Sequence, residues 1–108
     1  MPIAAISASA SGDTPVVAAV TSPGNKKIRV HAMQIWNGVA TANNVKLRSG
    51  TTDLHTAIPL PLAVGIPITV GERATSSDYL AETTAGQALN INLSAATAVA
   101  GWVSYSLE

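Results

Sequence analysis

The stretch Lys27-Ile28-Arg29-Val30-His31-Ala32-Met33-Gln34-Ile35-Trp36 alternates apolar and polar side chains with the period of two that marks a strand buried on one face. Read at that period, Ile28, Val30, Ala32 and Trp36 face inward, and Lys27, Arg29 and His31 face outward. Asn43 to Ser49 repeats the pattern, with Val45 and Leu47 inside and Lys46 and Arg48 outside. Gln87 to Leu93 repeats it again, setting Leu89, Ile91 and Leu93 against Ala88, Asn90 and Asn92. Turn-forming clusters bound these runs: Ser11-Gly12-Asp13, Ser22-Pro23-Gly24-Asn25, Asn37-Gly38 and Ser49-Gly50.

Further strands are predicted over Thr14 to Val20, Thr51 to Thr56, Ile66 to Glu72 and Thr97 to Leu107. Closely spaced strands with frequent turn signals point to an all-β sandwich or barrel, and an antiparallel β-sandwich of jelly-roll type is the expected form. Pro59, Pro61 and Pro67 lack amide hydrogens, so Ile58 to Pro67 reads as a crossover or an edge. The one foothold for a helix is Ser76 to Thr84, with a serine cap and Gly86 at its end.

A chain of 108 residues fits one domain, here 13–108, preceded by the segment 1–12. Pro2 to Ser11 is uncharged, with Ile3 and Ile6 as its sizeable apolar anchors. Two readings stay open for it: an arm laid across a neighbouring subunit, or the first strand of the chain's own sheet. Hydrophobic residues make up 47% of the chain, charged ones only 11%, and there is no Phe. A thin aliphatic core follows, and so little charge favours self-association.

Six basic residues balance six acidic ones, which leaves no net field to hold nucleic acid or an anionic membrane. Five of the basic residues, Lys26, Lys27, Arg29, Lys46 and Arg48, are expected to share one solvated sheet face. No apolar run approaches the roughly 18 residues of a membrane helix, and Met1 to Ala10 lacks the basic leader of a signal peptide. With no cysteine, thiolate chemistry and Cys-ligated zinc are excluded.

The chemistry-bearing residues do not assemble into a motif. His55 follows Asp53 by two, which would put both on one strand face as two metal ligands without a third. His31 and His55 have no Gly-x-Ser-x-Gly elbow to serve, and Asp13, Asp53, Glu72, Asp78 and Glu82 are scattered. The reading is therefore a non-enzyme without cofactor. The aromatic residues are more informative. Trp102 falls on a strand face with Ala98, Ala100, Ser104 and Ser106, as an anchor for a partner, a stacking platform for a sugar, or a side chain covered by a loop. Tyr79 is the second aromatic candidate, whereas Trp36 reads as core.

Three segments carry a resemblance. Gly24-Asn25-Lys26-Lys27-Ile28-Arg29-Val30, Leu47-Arg48-Ser49-Gly50-Thr51-Thr52-Asp53-Leu54 and Glu82-Thr83-Thr84-Ala85-Gly86-Gln87-Ala88-Leu89-Asn90-Ile91-Asn92-Leu93-Ser94 resemble the basic strand opening, the Ser-Gly hairpin and the Glu-Thr-x-x-Gly strand of small β-sandwich virion proteins of tailed bacteriophages. In place of a Trp-Phe pair common in that group, this chain has Tyr79-Leu80-Ala81. The resemblance implies a capsid decoration, or cement, protein on the outer capsid surface of the virion. Its partners would be the major capsid protein and itself, as a homotrimer, with Ile3, Ile6, Trp102 and Tyr79 as interface candidates. A carbohydrate-binding module of a head or tail fibre is the alternative.

Overall fold

The computed structural model describes residues 2–70 and 79–108. Among the described residues ten strands run in chain order: β1 (Ile3–Ala8), β2 (Gly12–Val17), β3 (Ile28–Asn37), β4 (Asn44–Ser49), β5 (Thr52–Asp53), β6 (Ile58–Pro59), β7 (Ile68–Val70), β8 (Ala81–Glu82), β9 (Leu89–Leu93) and β10 (Val99–Leu107). Among the described residues there is no helix. The helix expected over Ser76 to Thr84 lies partly outside them. Its described part is the extended β8, where Ala81 pairs with Val30 and buries its methyl.

All pairings are antiparallel and fall into two sheets. Sheet A has the order β1-β10-β3-β7, with β8 also on β3. Sheet B has the order β2-β9-β4-β5, with β6 also on β4. The short pairs β7/β8 and β5/β6 each act as one interrupted strand, and the chain then switches sheets at nearly every connection. This is the jelly-roll order of a β-sandwich.

The expected alternation holds in β4 and β9, where Val45, Leu47, Leu89, Ile91 and Leu93 are buried between the sheets. It breaks in β3. Ser104 lies opposite Ala32 and Tyr105 opposite Val30, so His31 is an extra residue and the register shifts there. Such a bulge carries the side chains after it to the other face. Ile28 and Val30 point inward before it, and Met33, Ile35 and Asn37 point inward after it. Trp36, expected in the core, therefore lies on the outer face.

The amino-terminal segment is resolved in favour of a strand. β1 pairs along its length with β10, from Ile3 opposite Ser104 to Ala8 opposite Val99, and buries Ile6 and Ala8. The strand Ile3–Ala8 is thus part of the chain's own sheet A. The basic residues divide as well: Lys27 and Arg29 pair with Glu82 at one end of sheet A, whereas Lys46 and Arg48 sit on sheet B. The single basic face expected from the sequence is not formed.

Candidate binding surface

The two outer faces of the sandwich differ in kind. On sheet B, Arg48 pairs with Asp13 at 3.0 Å and with Asp53 at 2.9 Å, and Lys46 pairs with Asp53 at 3.0 Å. Asn92 donates to Asp13, and the Arg48 guanidinium also donates to the Thr51 carbonyl. The charges on this face are thus matched within the chain.

Among the described residues the central outer face of sheet A carries no charge. Register sets Ala5 beside Trp102 and Trp102 beside Gln34, then Ser7 beside Ala100 and Ala100 beside Trp36. Ile3, Ser104 and Ala32 form the next row. The Trp102 indole N–H donates to Gln34 Oε1 at 3.0 Å, and Gln34 Nε2 donates to Thr69 Oγ1 at 3.3 Å. Trp36 and Trp102 are diagonal neighbours on adjacent strands, about 7–8 Å apart at the backbone, within reach of aromatic side chains. Two half-buried indoles among alanines and serines make a flat apolar platform with a fixed amide at its centre.

This platform ends at an ion cluster. Arg29 pairs with Glu82 at 2.7 Å and reaches Glu108 at 3.6 Å, Lys27 reaches Glu82 at 3.4 Å, and the Arg29 guanidinium lies 4.4 Å from the Tyr79 ring centre. The hydrogen bond from Arg29, and then Lys27, hold the Glu82 carboxyl below the usual carboxylate range, and the same bond raises Arg29. Lys46, followed by Arg48, lowers Asp53. A carboxylate lowered by folding stabilises the fold above its unfolded value and loses that contribution as pH falls through its folded value. Stability should therefore stay level from neutral pH to about 5 and decline below about 4. Thermal melts of Glu82→Gln across that range should show a shallower acid decline; an unchanged profile would remove Glu82 from the account.

At the opposite end of the sandwich the Pro-rich connection exposes Leu62, Val64 and Ile66, and the β3–β4 loop exposes Val39. The buried Asn37 fixes both loops, its Nδ2 donating to the Pro61 and Thr41 carbonyls while its own carbonyl accepts from the Gly65 amide. Asn43 does the same for the β9–β10 loop, with Oδ1 accepting from the Ser94 and Ala95 amides. Ile58 to Pro67, read as a crossover or an edge, is both: Ile58 and Pro59 pair with β4, and Leu62, Val64 and Ile66 beyond them are exposed.

Of the four interface candidates, Ile3 (68% exposed) and Trp102 share the outer face of sheet A, and Tyr79 lies at its charged end. Ile6 is 2% exposed and belongs to the core, so it is not part of that outer face. Its place is taken by Trp36, which the bulge turns outward.

The histidines are held internally. His31 is 2% exposed and its Nε2 lies 2.8 Å from Ser106 Oγ, which ties the bulge to β10. His55 Nε2 accepts from the Leu47 amide at 3.0 Å, and its Nδ1 faces the Thr56 carbonyl at 2.6 Å. Asp53 is held by Lys46 and Arg48. No group of three metal-ligating side chains occurs among the described residues. Comparison with known proteins adds no relative: neither a protein-family model nor a curated protein matches this sequence.

Proposed function

We propose that this chain is a capsid decoration (cement) protein of a tailed bacteriophage, which binds the outer capsid surface and bridges capsid subunits without covalent chemistry. The observation that carries the reading is the contrast between the two outer faces. One is closed by its own ion pairs, and the other offers Trp36, Trp102 and Ile3 on an uncharged plane. Aromatic anchors on a flat uncharged plane suit a partner surface better than a small-molecule site. The jelly-roll architecture is one used by viral capsid and lectin domains, and supports the reading by analogy only. The phage-like segments Leu47 to Leu54 and Glu82 to Ser94 supply the rest.

Function on this reading is mass action. A module that binds only the assembled shell raises the free energy needed to take it apart, and many weak copies sum to firm attachment. The test is to add purified protein to capsids stripped of accessory proteins, then measure sedimentation and the temperature of capsid disruption. Binding should raise that temperature. Trp36→Ala and Trp102→Ala should each weaken binding by tenfold or more, as central aromatic anchors do at about 2 kcal/mol, while Lys46→Ala leaves it unchanged. Absence of binding would sink the proposal.

The indole pair around the Gln34 amide favours one other reading, a carbohydrate-binding module of a virion fibre. Retention of a defined glycan that depends on both tryptophans, with no capsid binding, would replace the first reading by this one.

A further inference from the structure

The edges of the two sheets are not equally defended. Natural sheets blunt their edges with charge, proline, bulges or very short strands, because an open row of N–H and C=O groups templates pairing with another chain. β2 carries Asp13, Pro15 and a register irregularity between Pro15 and Val17. The β5/β6 edge is broken into two-residue pieces and contains Pro59, and the described strands of the β7/β8 edge are three and two residues long. β1 has none of these devices: Ile3-Ala4-Ala5-Ile6-Ser7-Ala8 is continuous, uncharged, free of proline within the strand and in unbroken register with β10.

The phase of its open hydrogen bonds is fixed. The Tyr105 amide donates to the Pro2 carbonyl at 3.0 Å, which makes Ile3 and Ser104 a pair that does not exchange hydrogen bonds. Alternate residues follow: Ala4, Ile6 and Ala8 bond to β10, and Ile3, Ala5 and Ser7 turn their N–H and C=O groups away from it to the open edge.

We infer that β1 is the self-association edge of this protein, pairing antiparallel with β1 of a second copy about a two-fold axis through Ala5. An antiparallel pair that keeps inner and outer faces continuous, and that matches the open groups of both strands, must set odd residues against odd ones. The register of greatest overlap places Ala5 against its equivalent and Ile3 against Ser7 twice over. Each such pair exchanges two backbone bonds, about six in all. Small side chains then face large ones across the seam: Ile3 opposes Ser7 outside, and Ala4 opposes Ile6 inside. Charge selects a second copy as the occupant, because two uncharged edges meet with no like-charge cost and a charged partner strand would find no counter-ion on β1. The contact is independent of what the tryptophan face binds, and it joins two such faces into one continuous sheet. It is isologous, so it makes dimers, in place of the trimer that the phage resemblance implies.

Light scattering on a sizing column across the micromolar range should give a dimer. Ala5→Pro removes only the outward amide of that residue, since its N–H does not bond to β10, and should yield a monomer whose circular dichroism matches the wild type. The chain has no cysteine, so a single thiol reports register directly. In Ala5→Cys the two Cα atoms would sit about 5.5 Å apart, within disulfide range. In Ser7→Cys the equivalents are four residues out of step, about 13 Å along the strand, and cannot bridge. Rapid oxidative cross-linking of Ala5→Cys, with none in Ser7→Cys, would establish the pairing. A monomeric or trimeric wild type, or equal cross-linking of the two variants, would overturn it.

Discussion

Replacing Gly101 with alanine is expected to leave little folded protein. Gly101 lies in the centre of β10, opposite Ile6 of β1 and Ile35 of β3. Its φ of 155° is one that side-chain-bearing residues rarely adopt, and a Cβ built there would lie 1.9 Å from the Gln34 carbonyl oxygen and 2.9 Å from the Ile35 Cα. Those neighbours are backbone atoms of the adjoining central strand, so no rotamer change relieves the overlap. Backbone strain alone costs about 1–3 kcal/mol, and prising β10 from β3 adds to it. The sum approaches the whole stability of a domain, typically about 5–15 kcal/mol. Soluble yield and thermal melts check this against Gly24→Ala, where the added Cβ meets nothing within 4 Å and the melting temperature should hardly move. A Gly101→Ala protein melting within a few degrees of wild type would mean that β10 and β3 are not in such close approach.

Ile35→Ala is expected to cost about 2–5 kcal/mol, the range for truncating a fully buried aliphatic side chain, whereas Trp36→Ala should cost less despite removing more atoms. Ile35 is fully buried between the sheets, and Trp36 stands half-buried on the outer face across from Ala100. Urea unfolding midpoints decide the order. Should Trp36→Ala prove the more damaging, His31 would not be an extra residue and the phase of β3 would run unbroken through Trp36. The same pair of variants separates folding from binding, because Trp36 and Trp102 carry the proposed capsid contact.

Regular strands were legible in the sequence and irregular ones were not. Leu89, Ile91 and Leu93 alternate with polar neighbours without interruption, and the same period places Val45 and Leu47. In β3 the pattern Ile28, Val30, His31, Ala32, Met33, Gln34, Ile35 fits two phases, and only the pairing with β10 shows where one gives way to the other. β1 was ambiguous for another reason. Its inner residues, Ala4, Ile6 and Ala8, are scarcely more apolar than Ile3, Ala5 and Ser7, so composition cannot assign its faces. The division of Lys27 and Arg29 from Lys46 and Arg48 depends on which strands share a sheet, a property of strand order that local periodicity does not contain. Half of the candidate surface followed from the alternation of β10, which exposed Trp102; the other half waited on a single inserted residue.

The position of β10 also governs how the chain is born. Among the strands it is the last to be synthesised, yet it forms the inside of sheet A, between β1 and β3. At about 5–20 residues per second, the ribosome needs roughly 5–20 s to pass from Ala8 to Val99 and beyond. For all that time β1 has no strand to pair with, and folding that rests on such distant partners is itself slow, in the range of milliseconds to seconds. Neighbouring nascent chains on one message would hold uncharged, proline-free β1 segments open side by side. Slow elongation should then favour aggregation of this protein, and anything that hastens the delivery of Val99–Leu107 should relieve it.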